Sequence, residues 1–145
     1  MLARLWLLSA ALLTAQVFND PLLVESFDYS DGLITNEWAY WNPNNPSAIT
    51  SAVWELTSGS LFATASIAWT GTPDDQNPNS NSATNTGSAV FRAVTKRSDF
   101  LNVAVTFRLR NQGLSTTAST AATAWDGCHI FLRYQSQYSL YYASI

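Results

Sequence analysis

An all-β fold, built as an antiparallel β-sandwich, is what this sequence predicts, and three observations carry that expectation. Residues 100–110 alternate without a break. Leu101, Val103, Val105, Phe107 and Leu109 fall on one side, and Asn102, Ala104, Thr106, Arg108 and Arg110 on the other. That is the period-two signature of a strand with one buried face. Residues 128–135 and 138–145 form two runs rich in aromatic and β-branched side chains around the short break Ser136-Gln137, which is a hairpin pattern. No stretch after the N-terminal segment carries an apolar stripe of helical period.

Composition agrees. Charged residues make up 12% of the 145-residue chain, against ~25% in ordinary soluble domains, and Ser, Thr, Asn and aromatic residues fill the gap. The chain is long enough for one domain with a real core. The formal net charge of −3 excludes the basic footprint of a nucleic-acid partner. The single cysteine, Cys128, excludes an internal disulfide and a zinc cluster of cysteines.

Taken in order, residues 1–15 read as a signal peptide. Arg4 precedes an apolar run from Leu5 to Ala15, which has the length of a signal core and falls short of the ~20 residues that span a bilayer. Cleavage after Ala15 leaves a β-sandwich domain over 16–145, secreted or extracellular (periplasmic in a double-membraned cell), with no membrane span in the mature chain. Residues 22–27 predict a strand, and Asp28 to Gly32 a turn closed by Asp-Gly. Residues 37–41, Glu-Trp-Ala-Tyr-Trp, predict a brief aromatic strand, followed by an Asn/Pro loop at 42–46. Residues 53–57 and 60–65 predict a hairpin around Ser58-Gly59. The polar stretch 71–87 is a long loop, of the kind that is functional or mobile in a compact domain. Strands follow at 88–95 and 100–110, a small-residue loop at 111–126, and the closing hairpin. The expected inter-sheet core is Leu101, Val103, Val105, Phe107, Leu109, Ile130 and Leu132. The final strand reaches residue 145 without Gly, Pro, Asn or Asp to close it. The chain therefore reads as the N-terminal part of a larger domain, with further strands beyond it.

The layout of motifs resembles the concanavalin A-like lectin/glucanase superfamily, whose laminin G-like members are jelly rolls. The residues that carry the resemblance are Phe27-Asp28-Tyr29 with Gly32-Leu33 and Trp38, then Trp54 and Leu56 before Gly59-Ser60-Leu61. They continue in Ser88-Ala89-Val90-Phe91, in Phe100-Leu101-Asn102-Val103 and in the last hairpin. The resemblance implies a jelly-roll sandwich and one of three functions: glycan binding, polysaccharide cleavage or adhesion. Fold alone does not choose among them.

Residue chemistry narrows the choice. The glucanase branch carries Glu-x-Asp-x-x-Glu on one strand, and retaining hydrolysis needs two carboxyls ~5–5.5 Å apart. No strand here holds such a pair: Glu25, Glu37 and Glu55 are isolated, although pairing across strands stays open. His129 is the only imidazole for a nucleophile triad, and no Gly-x-Ser-x-Gly elbow exists. Cys128 and His129 are adjacent on a strand, so they point to opposite faces. The enzyme question thus leans towards no catalysis. Calcium takes clusters of loop oxygens. Asp28 with Asp31, and Asp74 with Asp75 and Asn77, offer them, and ordinary Asx turns explain the same residues.

The sharpest constellation is polar and aromatic. If the strands at 100–110 and 128–135 share a sheet, Arg108, Arg110, His129 and Arg133 rise from its outer face. Tyr141 or Tyr142 joins from the last strand, Tyr141 being the residue assigned to the site, with Trp125 as a rim contact at the loop mouth. Aromatic rings stack on sugar C–H faces, and arginine forks suit a uronate carboxylate. The expected function is a secreted, lectin-like carbohydrate-binding module whose partner is a polysaccharide. The alternatives are a fragment of a polysaccharide-active enzyme, hydrolase or lyase, and a structural adhesion sandwich.

Overall fold

The computed structural model describes residues 21–72, 90–114, 116–118, 120–123, 127–136 and 138–144. Residues 1–15, expected to be a signal peptide, most of the loop at 71–87 with Asp74, Asp75 and Asn77, and Trp125 lie outside them. Among the described residues the chain is all-β apart from one five-residue helix. The order is β1 (Gly32–Asn36), α1 (Glu37–Trp41), β2 (Trp54–Ser58), β3 (Ser60–Thr64), β4 (Ile67–Trp69), β5 (Arg92–Thr95), β6 (His129–Ser136) and β7 (Ser139–Ser144). The strands form three antiparallel sheets, β1-β3-β4, β2-β5 and β6-β7.

The core lies between the first two sheets. Leu56 of β2, at 0% exposure, packs with Ile34 of β1 and with Leu61 and Ala63 of β3. Phe27, Tyr29, Trp54, Ala68 and Ala93 close around that cluster. The expected core is therefore corrected. Residues 100–110 form no strand, and Leu101, Val105, Phe107 and Leu109 are exposed, Leu101 at 80% and Phe107 at 50%. Leu132 is also exposed, while Val103 and Ile130 are half-buried. Alternation states which face a strand would bury. It supplies neither the partner strand nor the cover, and none of the described strands pairs with this segment.

Three further expectations change for local reasons. Residues 37–41 are helical because Asn36 caps them: its Oδ1 accepts the Ala39 N–H at 3.1 Å, and Glu37 sits in the first turn, where an acid is favoured. Asn42 ends the helix, donating its backbone N–H and its side-chain amide to the Trp38 carbonyl. Residues 22–27 form no strand. Phe27 turns at φ +55°, and Glu25 ties the segment down instead. Its carboxylate accepts from Phe27 N and Tyr29 OH at 2.8 Å and from Trp54 Nε1 at 2.9 Å. Burial first, then the Glu25 hydrogen bond and charge, push the Tyr29 phenol above its ordinary 10.0.

β2 and β3 are present where expected, yet they do not pair with each other. The chain passes at Gly59 from the β2-β5 sheet to the β1-β3-β4 sheet. Gly59 has φ +76°, and a Cβ there would meet Val90 O at 3.0 Å and the Phe91 Cα at 3.2 Å. Only glycine meets both demands. Glu37 grips this crossing twice, donating its N–H to Gly59 O at 2.8 Å and accepting the Gly59 N–H on Oε2 at 3.0 Å. The expected strand at 88–95 is found as the shorter β5. The last hairpin is found as read, β6 against β7.

Candidate functional site

The face predicted for ligand binding is built on β6-β7. Directly opposed residues share a face: His129 stands across from Ser144, Phe131 from Tyr142, and Leu132 from Tyr141. His129 Nδ1 lies 2.7 Å from Ser144 Oγ. Its ring is within 7° of parallel to Phe131 at 6.4 Å and edge-on to Tyr142 at 6.1 Å. Phe131 in turn lies 6.1 Å from Tyr134. Phe131 and Tyr134 are three residues apart. A register shift between Leu132 and Ser136, with Arg133 at φ +50°, swaps the faces and lets these rings meet.

Of the sequence-predicted set, His129 and the alternative Tyr142 come together, whereas Tyr141 lies on the opposite face with Leu132. Arg133 reaches back to the 100–110 segment and donates from Nη2 to Asn102 Oδ1 at 3.0 Å. Arg108 and Arg110 are exposed on that segment, outside any strand, and Trp125 lies outside the described residues. Asp99 pairs with Arg97 at 2.5 Å, and this guanidinium holds the Asp99 carboxyl below its usual range.

A signal missed in reading the sequence concerns charge order. From residue 21 to 72 the chain carries Glu25, Asp28, Asp31, Glu37 and Glu55 and no basic side chain. From residue 100 onward it carries Arg108, Arg110, Arg133 and His129 against one acidic side chain, Asp126. The chain is acidic overall, but the half that bears the predicted face is basic.

The two calcium candidates among the described residues, Asp28 and Asp31, bond to the backbone and side chain of a turn. Asp31 Oδ1 accepts the Ala65 N–H at 2.8 Å, and Asp28 Oδ1 accepts the Ser66 hydroxyl at 3.2 Å. Ala65 and Ser66 join β3 to β4 with φ of +50° and +58°, the double positive φ of a tight hairpin turn. With neither Gly nor Asn at the turn, the two aspartates hold it. Among the described residues no three His, Cys, Asp or Glu side chains gather as a metal site, and no helix is long and apolar enough to cross a membrane.

A concavity, also missed, lies between α1 and the β2-β5 sheet. It measures about 670 Å³, and its lining includes Tyr40, Trp41, Thr50, Glu55 and Lys96. Among the described residues Glu55 is the one carboxylate in its lining. Glu25 and Glu37 are engaged by the bonds described above. Comparison with known proteins found no matching family model, no similar curated protein and no similar solved structure, so the functional reading rests on the residues themselves.

Proposed function

We propose that this chain is a secreted, lectin-like carbohydrate-binding module of the concanavalin A-like jelly-roll type. In this reading it contacts an acidic polysaccharide through the β6-β7 face. The observation that supports this most is the ring cluster His129, Phe131 and Tyr142, set beside the Arg133–Asn102 tie in the basic half of the chain. The rings offer stacking surface to sugar C–H faces. Arg133 and the exposed Arg108 and Arg110 offer forked donors for uronate carboxylates. Glu25 and Glu37 are engaged in hydrogen bonds of the fold, and Asp28 and Asp31 in those of the β3-β4 turn.

The test is affinity for a soluble polyuronate, measured by calorimetry on the full chain. Arg133→Ala and Arg108→Ala are each expected to weaken binding roughly tenfold or more. That is the scale of a lost charge-assisted hydrogen bond, about 1.5–3 kcal/mol. Tyr142→Ala is expected to weaken it further through lost stacking. Wild-type affinity in all three variants would show that another surface binds the glycan.

A further inference from the structure

The concavity beside α1 holds an unusual set of uncommitted groups. Tyr40 and Trp41 meet edge to face, their ring centroids 4.8 Å apart and their planes at 84°. They form an aromatic corner on the groove wall, 37% and 49% exposed. Ring faces attract cations, most strongly those with a weakly hydrated, spread charge. Glu55 and Lys96 line the same groove, and neither side chain has a hydrogen-bond or ion-pair partner among the described residues.

Strand register sets where these two charges stand. Trp54 pairs with Thr95 and Glu55 with Val94, and Lys96 extends the ladder by donating its N–H to Val53 O at 2.8 Å. Alternation then places Glu55 and Lys96 on one face of the β2-β5 sheet as diagonal neighbours. A carboxylate and an ammonium therefore line one groove, and no ion pair joins them. A simple cation on the aromatic corner would also meet Lys96, and a simple anion would also meet Glu55. A zwitterion answers both. The volume of about 670 Å³ is within the roughly 300–1,000 Å³ of small-ligand sites.

We propose that this groove binds a compact quaternary-ammonium zwitterion. Its trimethylammonium group sits in the Tyr40–Trp41 corner beside Glu55, and its phosphate or carboxylate meets Lys96. The site is separate from the β6-β7 face, and its ligand is not a sugar.

The test is calorimetry on the full chain with four probes: phosphocholine, glycine betaine, choline and inorganic phosphate. Saturable binding of phosphocholine or betaine is expected, with choline and phosphate alone at least tenfold weaker. Trp41→Ala and Glu55→Gln are expected to weaken the zwitterion at least tenfold, and Trp41→Phe, which keeps a ring, to restore most of the affinity. Lys96→Gln should remove the preference for phosphocholine over choline. Arg133→Ala should change none of these values, which separates this site from the polysaccharide face. Trp41-dependent sedimentation with phosphatidylcholine vesicles would support the site and name a lipid headgroup as the source, while free-ligand binding without vesicle binding would support it with a soluble ligand. No saturable binding of either zwitterion, or equal binding by wild type and Trp41→Ala, overturns the proposal.

Discussion

Replacing Leu56 by Ala is expected to lower stability by about 3–5 kcal/mol, the upper range for buried leucines. Leu56 is wholly buried, and it is the residue through which β2 reaches the Ile34, Leu61 and Ala63 cluster. The removed methyl groups lose their transfer energy, and the space they leave collapses poorly because strands on both sides fix its walls. Domains of this kind have only about 5–15 kcal/mol in total, so the loss is a large share of it and lowers the midpoint temperature. A denaturant titration at constant slope is the measurement. A change under about 1 kcal/mol would show that the core lies elsewhere.

Glu37→Ala is expected to follow closely, at about 2–4 kcal/mol. The carboxylate is fully buried and holds the Gly59 N–H on Oε2. Its loss leaves that buried donor without its acceptor, at about 1–3 kcal/mol, and opens a cavity where the chain crosses between sheets. Glu37→Gln retains an oxygen acceptor at the same reach and should lose clearly less. The same chemical denaturation separates the two variants. Equal losses in both would point to charge, and not to the acceptor geometry, as what Glu37 contributes.

The parts of the fold that were legible in the sequence are those decided locally. The β6-β7 hairpin is a short-range pairing with strong β formers on both arms, so period and composition suffice. Residues 37–41 were misread because Trp and Tyr favour strands, whereas one cap, Asn36 Oδ1 on the Ala39 N–H, decides for helix. Asn immediately before Glu was the available sign. Residues 53–65 were misread because a turn at Gly59 reads as a hairpin whether the chain folds back or crosses to another sheet. The sequence does not show that Val90 lies against Gly59. At 100–110 the alternation is real but names no partner.

The same distinction applies to the sites. His129 and Tyr142 share a face because of simple strand pairing, which the sequence allowed. Tyr141 was assigned to the His129 face, but its placement opposite Leu132 depends on register, and register puts Tyr142 on the His129 face instead. The aromatic corner at Tyr40 and Trp41 needs the helix that was read as a strand. The opposition of an acidic first half and a basic second half was fully visible in the residue order and bears most directly on the ligand.

That opposition sets the decisive measurement: binding of the full chain to a polyuronate and to the same polymer with its carboxylates methyl-esterified. The two share a backbone and differ in charge. The polyuronate is expected to bind, with affinity falling as salt rises, and the methyl ester to bind at least tenfold more weakly. Equal affinity for the two polymers, or binding to neither, would contradict recognition of an acidic polysaccharide by the β6-β7 face.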